Sequence, residues 1–278
     1  MSSVVVRNEA GPSSDSLVDR LLSIGAESLP VVQAVTGLPL PDPVVIRTMT
    51  VDKWLREHQE SAKRRLVAET EQLAPSLRER LTAKVKHRAR TTFLSTFWPT
   101  MAAETVLFEP GRPEVVLLPE ALEHAGRLDD IPFLYKALGH EMTHLGQYAA
   151  SDGAVWTAQE AFFPARSGTA DRAYEYLLEG HAYWADREIT TKILGNPVST
   201  DKPSPEASDR YRKLFAMPMR LKVIEEYRRA CDSIARIIDV HGLAALNKIW
   251  TNPDLVPRRK ETDDLVAWTA RLTEGHAA

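Results

Sequence analysis

Along most of this chain apolar residues recur three and four positions apart, the period of a helix with one buried face. Leu17 to Ile24 is a short helical stretch, Val44-Val45-Ile46 reads as a short strand, and Thr50 stands where a helix carrying Trp54 and Leu55 inward would be capped. Ala74-Pro75 breaks that helix. Ser76-Leu77-Arg78-Glu79 is a capping box, and Leu77, Leu81 and Val85 then supply the apolar stripe of the next helix. Glu104 to Phe108 and Glu114 to Leu118 are β-prone runs flanking Pro110-Gly111-Arg112-Pro113, the pattern of a hairpin. Asp129-Asp130-Ile131-Pro132 offers a capping carboxylate and an early proline to a helix with Leu134, Leu138 and Leu145 at helical spacing. A second long helix runs from Asp171 to Gly195-Asn196-Pro197. Beyond a Pro/Ser-rich connector from Val198 to Ser208, Leu221, Ile224, Tyr227, Cys231, Ile234 and Ile238 mark a long helix. A short one ends at Trp250 and a last one covers Thr262 to Leu272. These elements predict a mainly α protein with a small β-sheet, of the α+β class. The polar residues 1–16 read as a mobile tail. Residues 17–278 read as a single domain, with an N-terminal lobe to about residue 150 and a helical lobe after it.

Chemistry enters at residues 139–148, Gly-His-Glu-Met-Thr-His-Leu-Gly-Gln-Tyr. A helix advances about 100° per residue, so His140 and His144 return to within about 40° of each other one turn apart. Both imidazoles can therefore reach one metal ion. Glu141 projects beside them, where a carboxylate can act as a base without being a ligand. Three fixed letters also arise by chance in roughly a few per cent of chains this long, so the helical context matters as much as the motif. The bland alternative is two surface histidines on an ordinary helix.

A catalytic zinc takes three protein ligands, and the third is expected on a separate element. In the helix after Asp171, both Glu179 and His181 are able ligands, yet they point about 200° apart, so a straight helix offers only one. Glu179 is the predicted ligand. Gly180 costs roughly 1 kcal/mol in a helix interior, which makes sense where another helix approaches closely. His181 is then a support for a ligand, a substrate-facing group or a core histidine. Asp186 shares the Glu179 face about 10 Å further along the axis. It could orient a ligand histidine, but pairing with Arg187 or Lys192 in solvent is the favoured reading.

His-Glu-x-Thr-His with a downstream Glu-Gly-x-Ala resembles the glutamate-ligand branch of the zincin metallopeptidases. Val51-Asp52-Lys53-Trp54-Leu55, Leu177-Leu178-Glu179-Gly180-His181-Ala182, Trp250-Thr251-Asn252-Pro253 and Trp268-x-x-Arg271 look like the actinobacterial zincin-like family labelled as associated with deazaflavin-cofactor biosynthesis. The likeness covers most of the chain from about residue 40. It implies a mostly helical zincin with the metal cleft between helical lobes, Zn2+ on His140, His144 and Glu179, and Glu141 as base. It also suggests Glu114 to Leu118 as the edge strand that binds an extended peptide. The family has an acidic residue directly after the alanine, where this chain has Tyr183. Tyr183, His181 and Tyr227 are the candidate catalytic donors for an oxyanion.

Composition then narrows the partners. The 278-residue chain is 44% hydrophobic and 26% charged, with a net charge of −3. No general attraction to nucleic acid or anionic lipid is expected, and the stretch Lys84 to Arg90 reads as a solvated helix face. No run approaches the length of a membrane span, Met1 to Ser16 lacks the apolar block of a secretory signal, and Cys231 is the single cysteine, expected as an apolar filler. A cytoplasmic protein is expected. Trp156, Phe162 and Phe163 in the segment from Ser151 to Ala170 would line or cover the site. Three functional readings remain: a zinc metallopeptidase, which leads; a zinc hydrolase or lytic enzyme on a small amide, ester or biosynthetic intermediate; and a non-catalytic zinc-binding protein. An open groove along an edge strand favours peptide, and a closed pocket built from Trp156, Phe162 and Phe163 favours a small molecule. A His/His/Glu site also accepts cobalt or nickel.

Overall fold

A computed structural model describes residues 3–274 and is mainly helical, with one small mixed sheet. Strand β1 (Val4–Glu9) leads into α1 (Asp15–Thr36), which returns the chain to β2 (Val44–Met49), parallel to β1. Two long helices follow, α2 (Val51–Leu73) and α3 (Leu77–Phe97), then the hairpin β3 (Ala103–Glu109) and β4 (Arg112–Leu117). The sheet order is β1-β2-β4-β3, with β4 parallel to β2 and β3 antiparallel on the outer edge. Next come α4 (Pro119–Ala125), α5 (Ile131–Ala150), α6 (Ala154–Gln159) and α7 (Tyr174–Leu194). The chain closes with α8 (Asp209–Phe215), α9 (Pro218–His241), α10 (Leu243–Thr251) and α11 (Leu265–Glu274).

Side chains alternate across a strand, so the sheet feeds two cores. Val115 and Leu117 of β4 face α1 and α5, with Ile46, Leu21, Leu138 and Met142. Val116 and Leu118 face the other way, onto Trp54 of α2, Leu94 of α3, Val106 and Phe108. A third cluster ties α7 to the C-terminal helices through Leu177, Ile234, Leu246, Trp250 and Trp268. The sheet holds α5 from one side and α7 holds it from the other. Among the described residues, no helix is long and apolar enough to cross a membrane.

Local signals held where they were chemical. Thr50 accepts from the Lys53 amide, Asp130 from the Phe133 amide, and the Ser76/Glu79 capping box forms. Gly195 ends α7 in the left-handed conformation. Four expectations need correction. The supposed tail contains β1, in which Val4, Val5 and Val6 pair with Val44, Val45 and Ile46. Its polar composition hid a β-branched run that the sheet needs; Met1 and Ser2 lie outside the described residues. Leu77, Leu81 and Val85 do not face a core but are 74%, 55% and 65% exposed. Among the described residues nothing covers that face of α3, whose buried residues are Ala83, Leu94 and Phe97. Leu221 is likewise exposed, although Cys231 and Ile234 on the same helix are buried. Strand β4 is interior, because β1 and β2 extend the sheet beyond it, and the edge beside the site belongs to β3.

Candidate metal centre

Helix α5 reaches the centre of the molecule because nearly every face of it is covered. Leu134, Leu138, Met142 and Leu145 are fully buried, and Gly139 lies against Ile189 of α7 at a distance only glycine tolerates easily. Helix α7 is pressed from its far side by α9. A Cβ on Gly180 would stand 2.8 Å from the Ala230 backbone, so the helix-breaking residue is explained by that contact. The crossing fixes where Glu179 points.

His140 and His144 stack edge to face with ring centroids 4.8 Å apart. Their Nε2 atoms lie 3.6 Å from Glu179 Oε2 and 3.6 Å from Glu179 Oε1, respectively. All three residues offer ligand atoms within 4.8 Å of one another. Donors about 2.0–2.1 Å from a tetrahedral zinc stand about 3.3 Å apart, so this set, one atom from each residue and all within 4.8 Å, would draw in slightly around such an ion. The opposite ring nitrogens are committed. His140 Nδ1 lies 3.0 Å from Asp186 Oδ2, and His144 Nδ1 lies 2.8 Å from Gln147 Oε1. Both partners are acceptors, so each Nδ1 carries a proton as donor and a neutral ring leaves its Nε2 lone pair aimed at the shared point.

The supports are themselves held. Lys136 Nζ donates to Asp186 Oδ1 at 2.5 Å, and the Asp186 side chain is fully buried. Asp186 is therefore a partner of His140, not a solvated surface charge as its neighbours in sequence suggested. Gln147 Nε2 donates to the Leu178 carbonyl at 3.0 Å and lies 3.1 Å from His181 Nδ1. His181 is fully buried between Trp184 and Trp250 and does not line the cleft. Burial, helped by the His144 charge, depresses its pKa to about 3. It packs in the core behind Gln147, because two residues of helix turn it away from Glu179.

Glu141 is buried beside the ligands, and Thr105 Oγ1 on β3 donates to its Oε2 at 2.8 Å and to its carbonyl at 2.9 Å. Burial raises the Glu141 pKa, against the lowering by His140, His144 and the Thr105 bond. Glu179 is held below the ordinary carboxylate value. Burial alone would raise it, but the His140 bond and the charges of His144, His140 and Arg220 win. Burial would also lower His140, yet its bonds to Asp186 and Glu179 push it up to about 10. The cluster thus favours a positive charge at its centre. Tyr183 packs edge-on against His140 with centroids 4.8 Å apart, and burial first, then the Glu179 charge, raises its hydroxyl pKa, so it stays an O–H donor. The Tyr227 hydroxyl is already given to Glu175 Oε1 at 2.6 Å.

These groups open onto a cleft of about 870 Å³. Its walls include β3 from Ala103 to Phe108, together with His140, Glu141, Glu179, Tyr183 and Trp156. Among the described residues, β3 has no strand partner on that side. Trp156 also packs against His144, as expected, whereas Phe162 and Phe163 do not line the cleft and fill a small cluster with Ala62 and Ala83. Sequence reasoning missed Lys136, Gln147 and Thr105. The first two could have been found: they sit four residues before His140 and three after His144, on the ligands' own side of α5. Thr105 carries no local signal.

No protein-family model matches the chain, and no curated protein matches it. One solved structure is similar, a Chloroflexus aurantiacus protein described provisionally as a hydrolase with a novel fold. It has a TM-score of 0.59 and 18% identity, over 92% of this chain and 89% of that one. That likeness shows a shared fold over nearly the whole length of both chains.

Proposed function

We propose that this chain is a zinc-dependent hydrolase and that its substrates are peptides. The observation that carries the reading is the pair of imidazoles whose Nε2 atoms each face a different oxygen of Glu179 at 3.6 Å while both Nδ1 atoms are held by buried acceptors. The zincin-like motif and the hydrolase description of the Chloroflexus aurantiacus protein support the same class. His140, His144 and Glu179 would hold a zinc ion, which when bound would supply the Lewis acidity that lowers the pKa of water and polarises a carbonyl. Glu141 takes the proton of the attacking water and returns it to the leaving amine, the role that its position beside His140 and His144 supports. Thr105 holds the Glu141 carboxylate toward the cleft. Tyr183 would steady the oxyanion, a role supported by its position in the cleft wall and by the commitment of the Tyr227 hydroxyl to Glu175.

Peptide is favoured over a small molecule by the walls of the cleft. An unpaired strand edge runs along it, which suits an extended chain, and the aromatic pocket that would have enclosed a small substrate is missing two of its three expected members. The test is incubation of the zinc-loaded protein with a diverse peptide mixture, followed by mass spectrometry, beside Glu141→Gln shown to retain zinc. Cleavage should fall about 10²–10⁴-fold in the variant, the usual worth of a general base. Equal cleavage by both proteins would remove Glu141 from the mechanism, and no cleavage by the wild type would remove peptide hydrolysis.

A further inference from the structure

The positive charges of the cleft are almost all committed. Arg65 and Arg90 share Glu160, Lys136 is held by Asp186, and Arg228 is held by Glu225. Arg220 differs. It lies in the first turn of α9, lines the same cleft as Glu141 and Glu179, and keeps its Nε enclosed without a hydrogen-bond partner. Among the described residues no carboxylate comes within 4.0 Å of its guanidinium. It is close enough that its charge acts on Glu179, Tyr183 and Tyr211.

A guanidinium donor shielded from water and left unpaired is unfavourable, and such groups in folded proteins generally have a partner. The chemistry of the vacant donor says which partner fits. Nε–H and the adjacent Nη–H form a planar two-pronged edge that matches a carboxylate in a bidentate pair. The cleft wall supplies no such carboxylate, although it supplies Glu160 to Arg65 and Arg90, Asp186 to Lys136 and Asp201 to Arg228.

We propose that Arg220 binds a carboxylate of the substrate, so that the preferred substrates carry a free carboxylate close to the bond that is cut. This rests on the hydrolase reading above. The carboxylate is either the C-terminus of a short peptide or an acidic side chain within it. A C-terminal carboxylate would make the enzyme one that trims chain ends; an acidic side chain would make it selective for internal sites.

Binding separates this from turnover. Zinc-loaded Glu141→Gln protein is titrated by calorimetry with acetyl-trialanine as the free acid and as the C-terminal amide. It is then titrated with acetyl-Ala-Asp-Ala amide and acetyl-Ala-Asn-Ala amide. The same four probes are titrated into Glu141→Gln proteins that also carry Arg220→Gln or Arg220→Lys. Zinc attracts the carboxylate equally in all three proteins, so the change in the acid-to-neutral ratio isolates Arg220. The acid member of one pair should bind about 10–100-fold tighter than its neutral partner when Arg220 is present, the range of a charged hydrogen bond. That ratio should collapse in Arg220→Gln and recover in part in Arg220→Lys, and the responding pair identifies which carboxylate is read. The proposal is overturned if acid and neutral probes bind alike to the protein with Arg220, including not at all, or if the ratio survives Arg220→Gln at unchanged zinc content. Failure of the hydrolase reading would show instead as wild-type turnover that is absent or indifferent to Glu141→Gln.

Discussion

Where α5 crosses α7, polar side chains form part of the interior: Lys136, Gln147, His181 and Asp186 are all buried, and each makes a hydrogen bond to another member or to the backbone. In the α2–α3 pair the arrangement is turned about. Its contact is made by Ala62 and Ala83 with Phe162 and Phe163, by Trp54 with Leu94 next to the sheet and by Glu160 between Arg65 and Arg90, while Leu77, Leu81 and Val85 stand in solvent. In the first region both candidate ligand histidines have a support and each support has a partner of its own. The second is fixed by caps, by ion pairs to Glu160 and by two small apolar contacts. Precision has gone where three donor atoms must meet at one point, and the arm beyond the cleft has been left comparatively loose.

Asp186 gives the largest effect by which this contrast can be broken. Asp186→Ala removes the acceptor for His140 and leaves the Lys136 ammonium buried without its partner. Breaking a buried pair from one side costs about 3–5 kcal/mol, and losing the support of a ligand histidine lowers metal affinity about 10–100-fold. Denaturant unfolding and a competitive zinc titration measure the two. A variant as stable and as tightly loaded as the wild type would mean that the polar interior is decoration.

Burial supplies the next effect. Leu138 on α5 is fully enclosed, so Leu138→Ala should cost about 2–5 kcal/mol. Leu81 is 55% exposed, and Leu81→Ala should stay within about 0.5 kcal/mol. Paired denaturant midpoints test this; a Leu81→Ala cost near that of Leu138→Ala would show that the α3 stripe is covered in solution.

The same two regions explain how much the sequence could disclose. The His140–His144–Glu179 cluster was legible because helix geometry alone brings His140, Glu141 and His144 together and forces a choice between Glu179 and His181. Caps such as Thr50, Ser76 and Asp130 were legible because their chemistry spans three residues. What lay beyond was decided across the chain. Asp186 meets Lys136 and His140 from another helix, Thr105 reaches Glu141 from the edge strand, and β1 exists only because β2 is there to pair with it. The stripe on α3 misled for the converse reason: periodicity reports that a face is apolar, not that anything lies opposite.

The smallest effect concerns how the arm is tethered. Glu79 closes the α3 capping box with Ser76 and also accepts from Arg166, at 2.9 Å from Nε and 2.7 Å from Nη2. The Arg166 bond first, then those from Ser76, hold its pKa down to about 2 against an ordinary 4.5. A carboxylate whose folded pKa is depressed stabilises the fold fully above its unfolded value, and that stabilisation is lost as pH falls through the folded one. The tether should therefore be intact above about pH 4.5 and fade toward pH 2. Because the group is exposed, added salt should weaken the effect at every pH. Amide protection in the first turn of α3, followed from pH 5 to pH 2.5 at low and high salt, should fall with pH and with salt in the wild type. In Glu79→Gln, which keeps a capping acceptor but not the charge, it should be lower than in the wild type at pH 5 and insensitive to pH. Matching profiles for the two proteins would assign the anchoring of α3 to the Phe162–Phe163 contact, and the arm would then resemble the α5–α7 crossing in depending on what is buried rather than on what is charged.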